Sequence, residues 1–461
     1  MKQSAKAKIK SSFRDPAGFV YRQNGRIFRQ INDVGRQDYD LFIKSGLYQK
    51  LVFDGLMISH REKHQKLPSG IYKIIEPQMA PFISYPYEWC FSQLKDAALV
   101  TLQIQKESLK RGLSLKDASA YNIQFMAGKP VMIDTLSFEK YRKGQPWVAY
   151  RQFCQHFLAP LALISLVDLK SGLLSRIFLD GVPLDFACKL LPFKTRLSLG
   201  LATHLHLHAK SQQNHLNQKP SDRNSRFSLP KPRLLAIIES LESTVKSLKF
   251  PKQATIWQDY YQNTNYSSKS FQQKKQLVSR LIKQIKPKTV WDAGANDGYF
   301  SRLASGQGVL TIATDFDFWA VEQAYLKAKK QKDQFILPLI LDLTNPSPDL
   351  GWQNRERDSF LRRGKFDLTL CLALMHHLSI SNNLPFEFQA KMWAGQTENL
   401  IIEFVPKDDS NAQRLLSGRE DIFDNYNQQA FESAFSVHFL IQGRYRLAGS
   451  KRCLYRMKRK G

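Results

Sequence analysis

Short, uninterrupted apolar runs alternate with stretches of helical periodicity through the last two hundred residues. They begin at Val290-Trp291 and recur as Gly308 to Thr314 (GVLTIAT), FILPLIL before Asp342, Phe366 to Ala373 (FDLTLCLA) and Leu400 to Val405 (LIIEFV). Runs of this kind, with helices between them, predict a parallel sheet covered on both faces, an α/β doubly wound arrangement. The final segments, HFLIQGRYRLAG and KRCLYRMKR, have no helical stretch between them and predict an antiparallel closing hairpin. Upstream the pattern is α+β: a hairpin around Asn24-Gly25, a helix from about Arg36, a link at Tyr85-Pro86-Tyr87-Glu88 and an amphipathic helix from Ser92 to Arg111. These elements divide the chain into an α+β domain (1–209), a polar linker (210–233), a connecting helical segment (234–265) and the α/β domain (266–461).

Composition narrows the class. With 461 residues and 43% hydrophobic content the chain can bury two or three cores. Its longest apolar stretch, Phe157 to Val167, is shorter than the roughly 20 residues of a spanning helix, so no transmembrane segment is expected. The basic start MKQSAKAKIKSSF has no apolar core and does not read as a signal peptide. Five scattered cysteines suggest neither disulfides nor zinc, and the expected location is the cytoplasm. The histidines at 204, 206, 208 and 215 lack a carboxylate at ligand spacing, so no metal is expected. Of the net charge of +28, residues 1–265 contribute +19 (39 Lys and Arg against 20 Asp and Glu). A basic amino-terminal half points to nucleic acid or another polyanion as partner, or to a solvated surface with none.

The chemistry-bearing stretch is PKTVWDAGANDGYFSRLA. A strand ends at Trp291, Asp292 to Gly298 form a turn, and Tyr299 to Ala304 open a helix. Gly294 and Gly298 let the backbone bend tightly and a ligand approach, and Asn296 tolerates a left-handed conformation. The dinucleotide fingerprint fails, because Asn296 and Tyr299 stand at its second and third glycines, which disfavours NAD. The stretch instead resembles motif I of class I S-adenosylmethionine (SAM)-dependent methyltransferases, with Asn296 for the middle glycine. Asp315, 23 residues after Asp292, suits a ribose diol, the alternative being a cap on the next helix. Phe316 is expected beside the adenine face and Asp342 near its amino group. His376 and His377 follow the fourth strand at the substrate-binding edge of such a sheet, where an imidazole suits proton removal. Glu403 either orients a histidine, contacts the acceptor or forms a buried pair. Trp257, Tyr260, Tyr261 and Tyr266 either cover the pocket or pack the sheet edge.

The stretches NPSPDLGWQNRERDSFLRR, LCLALMHHLSISNNLP and LIIEFVPKDDS, with ISYPYEWCFSQLKDAAL and LKDASAYNIQF upstream, resemble the NoeA-like methyltransferase family. The resemblance covers most of the chain and implies SAM as cofactor, a Rossmann-like carboxyl-terminal domain and methyl transfer to oxygen or nitrogen. A small molecule or saccharide is the acceptor the family suggests, and RNA the one the charge suggests.

A second constellation lies upstream, where Asp117 and Asn122 precede an apolar strand ending at Asp134. It resembles the catalytic loop and metal-binding Asp of protein kinase-like and aminoglycoside phosphotransferase-like folds. That resemblance implies ATP and Mg²⁺ at Asp117, Asn122 and Asp134, with Arg29 in place of the phosphate-binding lysine. Leu115 stands where His is usual and Thr135-Leu136 replace Phe-Gly, so a non-catalytic domain is the expectation. The alternatives to a methyltransferase are a scaffold that binds a polyanion and keeps a vestigial SAM pocket, and a bifunctional protein that also binds ATP.

Overall fold

The computed structural model describes residues 7–210, 228–251, 268–418 and 420–461. Trp257, Tyr260, Tyr261, Tyr266, His215 and most of the polar linker lie outside the described residues. The chain divides into two compact units, Met1–Lys252 with Asp349–Asp358, and Gln253–Pro348 with Ser359–Gly461.

The first unit opens with an antiparallel sheet of five strands: β1 (Ala7–Lys8), β2 (Gly18–Gln23), β3 (Arg26–Asn32), β4 (His60–Glu62) and β5 (Ile71–Pro77). Their order is β1-β2-β3-β5-β4. Asn24 and Gly25, at φ 50° and 75°, make the tight turn between β2 and β3 that their sequence predicts. Ile31, Ile75 and Leu136 pack with Tyr39, from the helix Arg36–Lys44. The amphipathic helix runs from Phe91 to Lys110 and buries Leu94, Ala97, Ala98, Leu102 and Leu109. Two small antiparallel pairs follow, β6 (Leu113–Leu115) with β9 (Phe138–Lys140), and β7 (Ile123–Met126) with β8 (Lys129–Met132).

Two boundaries differ from the sequence reading. The helix Lys231–Ser247 belongs to the first unit and is not a separate connector, because it is tied to the helix Phe91–Lys110. Lys106 pairs with Glu242 at 2.5 Å, and Lys95 Nζ donates to the carbonyls of Lys246 and Leu248. Residues 349–358 also join this unit. There Glu356 accepts from Arg14 at 2.8 Å, and the Arg357 guanidinium sits 4.3 Å from the Tyr121 ring centre.

The second unit is a seven-stranded sheet: β10 (Thr289–Ala293), β11 (Leu310–Asp315), β12 (Ile336–Ile340), β13 (Phe366–Cys371), β14 (Thr397–Phe404), β15 (Phe439–Arg446) and β16 (Cys453–Arg459). The order is β12-β11-β10-β13-β14-β16-β15; the first five strands are parallel, and the last two run antiparallel as the predicted hairpin. Pro338 is accommodated because β12 is an edge strand, where a missing N–H costs no ladder bond. Successive residues of β10 serve opposite faces. Val290 packs with Val278, Leu281 and Ile282 of the helix Ser268–Ile285. Trp291 packs against Phe360, Phe366 and Trp393, with ring centres 5.2 to 5.5 Å away.

Candidate functional site

Parallel strands end on one edge, so β10, β11 and β13 deliver their last residues to the same side of the sheet. There Phe271, Lys274, Asp292, Gly294, Asn296, Asp315, Phe316, Leu374 and His377 line a cavity of ≈ 280 Å³. That is far more than a few waters fill, at about 30 Å³ each.

The turn after β10 is built from backbone. Gly294 and Ala295 both donate their N–H to the Thr314 carbonyl at 2.9 Å, which binds the turn to the neighbouring strand. Gly294, Asn296 and Gly298 have φ of 71°, 49° and 76°, the left-handed conformations that the residue types predict. A Cβ on Gly294 would meet the Leu374 side chain at 3.1 Å on the cavity wall. The helix begins at Ser301 instead of Tyr299, because Gly298 N–H closes a turn on the Ala295 carbonyl first.

Two buried carboxylates flank this turn. Asp292, 2% exposed, accepts from Ser301 Oγ at 2.6 Å. Burial pushes its pKa up to about 7, and the charge of Asp315 adds to the rise. Asp315, 9% exposed, accepts from Asn296 N at 2.7 Å and Asp317 N at 3.0 Å. Burial raises its pKa to about 6 against those two bonds. Asp315 is not a helix cap: Asp317 fills that role for the helix Phe318–Gln331, accepting from Trp319 N and Ala320 N. Phe316, 55% exposed, stands on the cavity rim. Asp342 departs from expectation. It is exposed and off the cavity wall, and its Oδ1 is engaged by the N–H and hydroxyl of Thr344.

The histidines separate. His377 is on the cavity wall, and burial lowers its pKa to about 4, with Arg452 adding to the effect. His376 is completely buried, off the wall, with neither ring nitrogen partnered. Its pKa lies well below the usual imidazole value, chiefly from burial. Glu403 is off the cavity wall. Its carboxylate accepts from Lys274 Nζ at 2.6 Å and from Ala373 N at 2.8 Å in a fully buried pair. Lys274 is a charged cavity residue that the sequence reading missed. Its signal was available, since Lys274 interrupts the apolar stripe of Phe271, Leu277, Val278, Leu281 and Ile282.

In the first unit, the β7–β8 hairpin brings the upstream constellation together. Ser137 Oγ donates to Asp134 at 2.9 Å and accepts from Asn122 at 3.2 Å. Burial raises the pKa of Asp117, and the charge of Asp134 adds to the rise. Arg29, on β3, is ion-paired with Asp134. Among the described residues no group of three or more His, Cys, Asp or Glu is placed to hold a metal. No helix among them is long and apolar enough to cross a membrane.

The residues fit a nucleoside-bearing ligand: Gly294 gives the cavity a wall of bare backbone, and Asp315 stands beside it. No model of a known protein family matches the chain. The nodulation protein NoeA of Rhizobium meliloti (strain 1021) is 37% identical over 461 residues, covering 98% of this chain and 96% of its own. Similar solved structures include the N-methyltransferase NodS from Bradyrhizobium japonicum WM9, 12% identical over 42% of this chain and 99% of that one, at a TM-score of 0.31. A WbdD structure with the kinase inhibitor LY294002 is 15% identical over 40% of each chain, at a TM-score of 0.30. Scores this low bear on neither substrate nor activity. The chain belongs to the NoeA family.

Proposed function

We propose that the protein transfers a methyl group from SAM to an oxygen or nitrogen atom of a small molecule or saccharide. The observation that carries this reading is the pairing of Asp315 with Asn296 N at the mouth of the glycine turn. Each carboxylate oxygen of Asp315 accepts one backbone N–H, Oδ2 from Asn296 and Oδ1 from Asp317, and each keeps a second lone pair with which to accept a ribose hydroxyl, while Phe316 stands on the same cavity rim. Asp342 lies off the cavity wall, with its Oδ1 engaged by Thr344.

SAM, when bound, supplies a methyl group on an electrophilic sulfonium. The protein's task is to orient an acceptor lone pair, which is worth roughly 7–11 kcal/mol of barrier. His377 lines the cavity and is neutral at pH 7, which makes it the candidate to take a proton leaving the acceptor. Lys274 is held by Glu403 and so presents a fixed cation at the wall. His376 is assigned no chemical role. Incubating cell extract with the protein and tritiated SAM, with and without nuclease, tests the reading. Nuclease-resistant label in a small-molecule or saccharide fraction supports it, and label confined to nucleic acid removes it. Absence of both binding and label favours a scaffold with a vestigial pocket.

A second reading concerns the first unit. Asp134 raises the pKa of the nearby Asp117, a repulsion that a divalent cation with a nucleotide triphosphate relieves. Against it, Arg29 already neutralises Asp134. Calorimetric titration with ATP in Mg²⁺ and in chelator decides this: Mg²⁺-dependent heat that Asp134→Ala abolishes supports the site, and no heat removes it.

A further inference from the structure

One face of the first unit's helical part is apolar on the outside as well as the inside. Four short segments form it: the helix Leu184–Leu190, the single turns Phe193–Leu197 and Leu199–Leu201, and the wide turn Ala202–Leu207. Their inner residues Leu184, Ala187, Leu191, Leu201 and Leu205 are buried, as an ordinary core requires. Their outer residues are not polar. Leu199 is 84% exposed, Leu197 80%, Phe193 71% and Leu207 61%. Thr195 Oγ1 bonds His206 Nε2 at 2.8 Å, which ties the Phe193 turn to the Leu207 turn. Gly200 lies so close to Thr244 that a Cβ there would meet its hydroxyl at 2.1 Å, which pins the Leu199 turn.

From Leu184 to Leu207 three exposed cations stand against one exposed acid, Asp185. Lys189, Lys194 and Arg196 are exposed among the leucines, and the Arg196 guanidinium lies 5.4 Å from the Phe193 ring centre. From Phe186 to Ser221 the sequence has no Asp or Glu. Asp185 lies in the first turn of the helix Leu184–Leu190. Contiguous exposed apolar surface marks an interaction site, and basic residues among inserted apolar ones match an anionic membrane surface.

We propose that this face docks the protein on an anionic phospholipid surface, with Phe193, Leu197 and Leu199 entering the headgroup layer and Lys189, Lys194 and Arg196 pairing with lipid phosphates. Lipid fits better than the other occupants. A second copy of the chain would set the same three cations against each other. Single-stranded nucleic acid stacks bases on aromatic rings, and this face offers one ring among aliphatic side chains. The inference is independent of the methyl-transfer reading.

Flotation of the full-length protein with vesicles of phosphatidylcholine alone, and of phosphatidylcholine mixed with phosphatidylglycerol, tests it. Three cations near an anionic surface predict about a hundredfold stronger partition into the mixed vesicles. The variants Leu197→Ser/Leu199→Ser and Lys189→Gln/Lys194→Gln/Arg196→Gln change exposed side chains, and unchanged thermal melting checks that they fold. Both are expected to fall to the level of phosphatidylcholine alone. No flotation of the unaltered protein, equal partition into both vesicle types, or variants that float like the parent overturns the proposal. So does binding of a single-stranded RNA without flotation, which makes the face a nucleic-acid surface.

Discussion

The carboxylate of Asp315 accepts the backbone N–H of Asn296 at 2.7 Å. One strand end therefore fixes the most strained residue of the turn that follows another, and the cavity floor is set before any ligand arrives. Asn296 holds φ at 49°, a conformation that costs an L-residue roughly 1–2 kcal/mol. The bond to Asp315 helps to offset that cost.

Gly294→Val places a branched side chain at positive φ, against Leu374, on the cavity wall. The expected result is at least tenfold weaker binding of S-adenosylhomocysteine in a calorimetric titration. Gly298→Ala is expected to affect stability more than binding. A Cβ there meets Arg302, Ile336 and Ala324 at 3.4 to 3.5 Å, and the residue is off the cavity wall.

The raised pKa of Asp315 sets a pH dependence. Its folded value of about 6 exceeds the ordinary carboxylate value of about 3.9, so the folded chain holds the proton over that window and the unfolded chain does not. The stability contributed by this group is present below about pH 4 and is lost as pH rises to about 6. Denaturant melts of the parent minus those of Asp315→Asn should show that loss. Donor affinity should move the opposite way and tighten through the same window, because the ionised carboxylate is the better acceptor.

Lys274 and Glu403 form a buried pair, so removing one partner leaves an uncompensated charge. Lys274→Met and Glu403→Gln are each expected to destabilise by about 3–5 kcal/mol in urea unfolding. The double variant should recover much of that loss, and the double-mutant cycle checks this.

The two histidines should behave differently. His377→Ala is expected to lower turnover of labelled methyl while leaving donor affinity within about twofold, since the side chain faces the cavity without gripping the turn. With its pKa near 4, the parent should show no kinetic inflection near pH 6.5 from this group. His376→Leu exchanges a buried ring with two unpartnered nitrogens for an apolar side chain and should be neutral or stabilising.

Local signals carried most of the fold. Apolar runs placed β10 to β14, because strands buried on both faces need residues such as those of LTLCLA throughout. The Asn24-Gly25 turn was legible because left-handed turns demand particular residues. What escaped was set by distant partners. Nothing local in GWQNRERD shows that Glu356 meets Arg14, 342 positions away, so its place in the first unit was invisible. The insertion of β16 between β14 and β15 is likewise a pairing choice. At the site, Asp292, Gly294, Asn296 and Asp315 were legible from spacing. Asp342 was placed by analogy of position, and it lies off the cavity wall with its Oδ1 engaged by Thr344.

Calorimetric titration of S-adenosylhomocysteine into the full-length protein and into Asp315→Ala tests the central claim, that this cavity holds the methyl donor, most directly. The expected result is one site per chain in the parent and at least a tenfold loss of affinity in the variant, with melting in the absence of ligand showing that the variant is folded. Absence of binding to the parent, or equal affinity in the two proteins, contradicts the account.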